Sequence, residues 1–214
     1  MELGFYRFAN KEPNKLAIVG PNEELVSRGE LLSKANKLTH ALRDLGLKKF
    51  DTVAVVLPNS VEYFVVYMAC LQAGFYLVPI NWHLAGPEIA YILEDSEAKA
   101  FIASGKNPDM EKACINAVSE ISFDKKGCIT IDELEGFRHI DDFTKSMPDE
   151  NPHDRSAGQV MNYTSGTTGK PKGVKRNLVE GDPDDVLSLF AMIFSFYSIQ
   201  PEDENVHIVG SPLY

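Results

Sequence analysis

An α/β fold, with a mostly parallel sheet flanked by helices, is the class this sequence predicts. Three observations predict it. Continuous apolar runs at residues 52–57, 76–80 and 100–103 have strand length and strand composition. Helix-period segments lie between them, so residues 51–103 read strand, helix, strand, helix, strand. Capping and stop residues stand where that alternation needs them.

Taken in order, residues 1–13 read as a short opening helix and a turn. Residues 16–19 form a short strand, Gly20-Pro21-Asn22 is turn chemistry, and Leu25-Val26 returns as the second arm of a hairpin. Ser27 with Glu30 has capping-box spacing. Leu31, Leu32, Ala35, Leu38, Leu42 and Leu45 then share one helical face, and Gly46 fits the position just past the helix end. After the strand at 52–57, Asn59 and Glu62 repeat the capping spacing before a helix at 60–73 that Gly74 closes. Pro87 suits the first turn of a helix running to about residue 95. Beyond it, 110–120 reads as a helix and 128–131 as a strand. Residues 141–154 are acidic and carry Pro148 and Pro152, which predicts a solvated surface connector. Asp182-Pro183-Asp184-Asp185 offers an N-cap and first-turn acids to a helix over 186–200. That apolar helix is expected to pack on the sheet as core rather than to wall an acyl pocket. Residues 206–209 read as a strand. The expected division is a first α/β lobe over 1–155 and the start of a second over 156–214.

With 44% hydrophobic and 24% charged residues, the chain has the composition of an ordinary globular protein. A net charge of −10 disfavours nucleic acid, which needs clustered Lys and Arg. Cys70, Cys114 and Cys128 have neither redox nor metal spacing, so reduced thiols and a cytoplasmic location are expected. The histidines form no ligand pattern, and no apolar run is long enough for a transmembrane segment.

The chemistry concentrates at residues 160–174. A short apolar run ends at Tyr163, and a loop of Gly, Ser, Thr and Lys follows. Gly166, Gly169 and Gly173 lack a Cβ, so the backbone there can approach a ligand closely. Successive N–H groups in such a turn make an anion-binding nest. Thr164, Ser165, Thr167 and Thr168 supply hydroxyls for phosphate oxygens or a hydrated Mg²⁺. Lys170 and Lys172 add positive charge, and Lys175 and Arg176 extend the basic island. These groups describe a polyphosphate cradle. The glycines are too close together for the usual P-loop, and Pro171 and Gly173 argue against a helix after the loop. The predicted geometry is strand, loop, strand; a plain polar linker is the bland alternative.

The run Tyr163-Thr164-Ser165-Gly166-Thr167-Thr168-Gly169-Lys170-Pro171-Lys172-Gly173-Val174 resembles the phosphate-binding signature of adenylate-forming (AMP-binding) enzymes, the acyl-CoA synthetases among them. Residues 51–60, Ala69-Cys70-Leu71-Gln72-Ala73-Gly74 and Val78-Pro79-Ile80-Asn81 resemble the same family's first core strand, helix end and following strand. The resemblance covers about residues 16–103 and 160–214. It implies the N-terminal part of that family's large domain, left incomplete at Tyr214.

Its implied activity is ATP-dependent conversion of a carboxylic acid, fatty or related, to an acyl-adenylate and then to a coenzyme A thioester. The implied phosphate ligands are Thr164, Ser165, Gly166, Thr167, Thr168, Gly169, Lys170 and Lys172, with Lys170 the lesser lysine. Thr164 or Thr168 would help place Mg²⁺. The family's catalytic acid, ribose-binding aspartate and C-terminal lysine fall beyond Tyr214, so no catalytic residue is assigned and the chain alone is expected to be inactive. Lys175-Arg176-Asn177-Leu178 stands where many members carry Ser-His, which leaves the acid substrate open. Trp82 and His83 read as structural residues at a strand end. The rival readings are a nucleotide-binding or interaction module without turnover, and a P-loop phosphotransferase. Exposed apolar surface over 186–214, and hence self-association, is a further expectation.

Overall fold

Local signals nucleate most elements. In the computed structural model, which describes residues 4–164, 170–199 and 205–214 (side chains of 187–192 and 195 excepted), the first is helix α1, Phe5–Lys11. Strands β1, Leu16–Val19, and β2, Leu25–Ser27, pair antiparallel as the turn between them requires. Ser27 Oγ accepts from the Glu30 N–H at 3.2 Å while Glu30 Oε2 accepts from the Ser27 N–H at 2.8 Å. That reciprocal box starts α2, Arg28–Asp44. Strand β3, Thr52–Val56, is buried throughout.

Helix α3, Val61–Ala73, begins from Ser60, whose Oγ accepts from the Tyr63 N–H at 3.2 Å. This corrects the Asn59–Glu62 expectation: Ser60 has the extended backbone a cap needs, and Asn59 is engaged elsewhere. Gly74 ends the helix in the left-handed region at φ 73°. Then come β4, Tyr76–Pro79, α4, Gly86–Asp95, β5, Ala98–Ala103, α5, Pro108–Glu120, and β6, Cys128–Thr130. Strand β7, Arg138–His139, and helix α6, Ile140–Thr144, follow. Strand β8, Gln159–Val160, precedes β9, Tyr163–Thr164, and β10, Lys172–Gly173; α7 is Pro183–Phe196.

Six strands form one sheet in the order β7-β6-β5-β3-β4-β8, and every neighbouring pair is parallel. The period of two along β3 divides the core. Val53 and Val55 join α2 and α3 residues such as Leu38, Leu42 and Val66 on one face. Ala54 and Val56 join Ile89 and Leu93 of α4 and Cys114 of α5 on the other. The result is helix, sheet, helix, with strands apolar on both sides as parallel sheets require.

Three expectations change. The acidic connector is more than a solvated face. Asn36 Nδ2 of α2 donates to the Asp149 carbonyl at 2.8 Å, and Arg43 pairs with Asp154 at 2.5 Å, so α2 straps it down. Its start lies in α6, directly after β7, and both elements are too short to show as periodic runs. Residues 206–209 belong to no ladder among the described residues, since an extended apolar run becomes a strand only beside a partner. Where its side chains are described, the end of α7 is not core: Ile193 is 51% exposed, Phe194 53% and Phe196 83%. The expected apolar surface is there, with Ile208 93% exposed. The residues after it turn back to the sheet's carboxyl edge. Asn59 Nδ2 donates to the Ser211 carbonyl at 2.9 Å, and its Oδ1 accepts from the Leu213 N–H at 3.0 Å.

Candidate functional site

The candidate site is the hairpin β9–β10. Its entering leg is placed by the sheet: the Met161 N–H donates to the Leu77 carbonyl at 2.8 Å, continuing the β4–β8 pairing. The legs then pair antiparallel, Thr164 opposite Lys172 and Tyr163 opposite Gly173. Below them the Val174 N–H donates to the Asn162 carbonyl at 2.9 Å. Strand, loop, strand is therefore the observed order, and no helix starts at Lys170. That removes the P-loop phosphotransferase reading, which needs a helix N-terminus behind the loop.

Ser165, Gly166, Thr167, Thr168 and Gly169, all assigned to the cradle, lie outside the described residues. The flanking ligands are placed. Directly opposed residues of an antiparallel pair project to the same face, so the Thr164 hydroxyl and Lys172 ammonium flank one side of the loop. Both residues are exposed, free to meet a polyanion. Lys170 is turned elsewhere: its Nζ lies 4.8 Å from the centroid of the Tyr91 ring on α4. Lys175 Nζ similarly covers the Tyr76 ring at 4.7 Å, and the Tyr76 hydroxyl donates to the Arg176 carbonyl at 2.6 Å. The basic island is thus spread along aromatic supports rather than gathered at one point.

Gly173 also packs closely against its neighbours in the hairpin. A Cβ there would overlap Met161 Cε and approach the Tyr163 ring to 3.0 Å. The missing Cβ leaves room for the hairpin to lie against its own base.

Sequence reasoning missed two residues, Tyr91 and Asp95. The Tyr163 hydroxyl donates to Asp95 Oδ2 at 2.7 Å, and the Tyr91 hydroxyl donates to the Pro171 carbonyl at 3.0 Å. Burial first, then the Asp95 carboxylate, pushes the Tyr163 phenol well above its ordinary pKa, so it stays a donor. The only sequence signal for the pair is their spacing of four on an amphipathic helix. The Trp82 and His83 rings stack at 3.5 Å between centroids, and the His83 N–H donates to Asn81 Oδ1 at 2.8 Å.

Among the described residues no group of three His, Cys, Asp or Glu side chains could hold a metal ion. Hydroxyl and ammonium groups fit a hydrated Mg²⁺ carried on a polyphosphate, where the anion supplies the hard oxygen ligands.

An all-parallel sheet covered by helices on both faces, with its edge strand running into a hydroxyl- and lysine-flanked hairpin, defines an α/β protein whose candidate site stands at the sheet edge. More particularly, the chain belongs to the AMP-binding enzyme family, whose sequence pattern matches residues 5–178. It is 32% identical over 170 residues to a long-chain-fatty-acid–CoA ligase of Mycobacterium tuberculosis, covering 78% of this chain and 32% of that one. It is 32% identical over 173 residues to a fatty acid–[acyl-carrier-protein] ligase of Streptomyces coeruleorubidus, covering 78% of this chain and 30% of the relative. Among solved structures it is similar to MatB from Rhodopseudomonas palustris bound to ATP, with TM-score 0.67 and 25% identity over 93% of this chain and 38% of MatB. The chain spans about a third of the length of the curated relatives it matches.

Proposed function

We propose that this chain supplies the triphosphate-holding hairpin of an enzyme that activates a carboxylic acid with ATP. The observation that carries the reading is the hairpin itself, with Thr164 opposite Lys172 at the sheet edge of an AMP-binding enzyme. A substrate carboxylate oxygen attacks the α-phosphorus. The bond from that phosphorus to the bridging oxygen breaks, and pyrophosphate leaves with the electron pair. A coenzyme A thiol then displaces AMP from the acyl-adenylate, giving a thioester. The acid we propose is fatty or related, in line with the ligases of similar sequence.

Lys172 and Thr164 hold the β- and γ-phosphates together with residues 165–169, and Thr164 helps orient the magnesium that accompanies ATP. Charge-assisted bonds to phosphate are the strong class, and their work in phosphoryl chemistry is positioning and charge stabilisation. Lys170, drawn to Tyr91, contributes less. The division into lobes at residues 155 and 156 and a cytoplasmic location are carried as parts of the same proposal.

MgATP titration of the chain by calorimetry tests the reading. Lys172→Ala should weaken binding about tenfold or more, the worth of one charge-assisted hydrogen bond. An unchanged affinity, or no binding by the unaltered chain, overturns it. Pyrophosphate exchange driven by fatty acids should be absent from the 214-residue chain, which spans about a third of its relatives' length; exchange by this chain alone overturns that part. We also propose self-association through the exposed apolar stretch around Phe194, Phe196 and Ile208. A strictly monomeric species in light scattering at high concentration overturns it.

A further inference from the structure

The ladder that closes the loop is short. Among the described residues it pairs Lys172 with Thr164 and Gly173 with Tyr163. A two-stranded ribbon of that length is marginal in water by itself. The sheet places the base of the entering leg through Met161, and α4 touches both legs nearer the loop.

On the entering leg, the Tyr163 hydroxyl donates to Asp95 Oδ2 at 2.7 Å. On the leaving leg, the Pro171 carbonyl accepts from the Tyr91 hydroxyl at 3.0 Å, and the Lys170 ammonium sits over the same ring. The Tyr91 hydroxyl lies 3.5 Å from Asp95 Oδ1, so its single proton goes to Pro171, the nearer acceptor. Tyr91 and Asp95 are four residues apart and share one face of α4. Opposite that face Ile89, Ala90, Ile92 and Leu93 are buried in the core. The grip is therefore anchored in the rigid part of the fold.

We propose that Tyr91 and Asp95 are positioning residues for the glycine–threonine–lysine loop, clamping both legs of the hairpin to α4 so that the loop meets its ligand with its ends already placed. The proposal rests on reading the loop as a phosphate cradle. Ordering the legs before binding lowers the entropy that binding must otherwise overcome. The clamp thereby raises phosphate affinity without touching phosphate. Among the described residues Tyr91 and Asp95 reach the loop through Tyr163, Lys170 and Pro171, and neither is among the proposed phosphate ligands.

The test is amide hydrogen exchange on the 214-residue chain with Asp95→Ala, Asp95→Asn and Tyr91→Phe, followed by MgATP titration of each. Asp95→Ala and Tyr91→Phe should speed exchange at residues 172–174 by about fivefold, the worth of one hydrogen bond, with β3 and β5 amides unmoved. Asp95→Asn keeps an acceptor for Tyr163 and should stay within about twofold of the unaltered chain. Asp95→Ala should also weaken MgATP binding by about fivefold while leaving the melting midpoint in place. Unchanged exchange at 172–174 in both disruptive variants overturns the clamp, and so does an Asp95→Asn chain as loose as Asp95→Ala. If the unaltered chain binds no MgATP, the cradle reading falls, while the exchange data still decide whether α4 holds the legs.

Discussion

Replacing Arg155 by methionine is expected to destabilise this fold by about 3–4 kcal/mol, and the structure shows why. Asp184, in the first turn of α7, is 1% exposed, so its carboxylate has left water almost entirely. Arg155 Nη2 lies 2.9 Å from Asp184 Oδ2 and 3.2 Å from Asp182 Oδ1. The guanidinium carbon sits 4.5 Å above the Tyr6 ring of α1, and the Tyr6 N–H donates to Asp184 Oδ1 at 3.2 Å. One arginine thus joins α1, the connector and α7.

Stranding one buried partner of such a pair costs about 3–5 kcal/mol. The low end applies, because Asp184 keeps the Tyr6 N–H and Arg155 Nε meets no acceptor among the described residues. The lost cation–π contact adds about 1 kcal/mol. For a chain of this size that is a fall in melting midpoint of about 6–16 °C. Urea unfolding followed by circular dichroism measures it. The double variant Arg155→Met with Asp184→Asn should be less unstable than Arg155→Met alone, because no uncompensated charge stays buried. A loss below about 1 kcal/mol for Arg155→Met, or a double variant equal to the sum of the singles, would refute the reasoning.

Four further outcomes are expected. Gly74→Ala should cost about 1–2 kcal/mol in the same urea assay, since φ is 73° and the new Cβ would lie 2.9 Å from Lys49 Cγ. Ser27→Ala should cost about 1 kcal/mol through the lost cap of α2. The Ser27 N–H and hydroxyl hold the Glu30 carboxyl below the ordinary carboxylate range. A lowered folded value means this contribution is present above about pH 4.3 and fades as pH falls through the folded value. Glu30→Gln should flatten that part of an acid titration followed by circular dichroism. The thiols should be inert to Ellman's reagent at pH 8 in the folded chain and all react in denaturant. Cys70 and Cys114 are 0% exposed and Cys128 1%, and burial pushes Cys114 up to about 12 and Cys128 up to about 11. A stoichiometric fast thiol in the native chain would contradict the packing.

The elements legible in the sequence are those whose causes are local. The Ser27–Glu30 box, the Gly74 stop and the apolar runs of β3, β4 and β5 each act within a few residues of themselves. Strand–helix alternation with apolar strands then compels a parallel sheet covered on both faces, and the glycine–threonine–lysine run announces a loop between two strands. What misled was equally local: 206–209 has strand composition but pairs with no strand among the described residues, and α7 has core composition with its described end in solvent.

The chain by itself determined its fold class, its order of elements and the place of its loop, because propensity, capping and turn chemistry are short-range forces. Only the tertiary structure decided that Asp184 is a buried anion against Arg155, that Gly173 makes room for Met161, and that Tyr91 and Asp95 hold Pro171 and Tyr163. Those partners lie between 12 and 80 residues apart along the chain, the latter across the Tyr91–Pro171 bond. Burial and hydrogen-bond geometry depend on which surfaces meet, and that is settled when the sheet and its helices close, not by any residue's own neighbours.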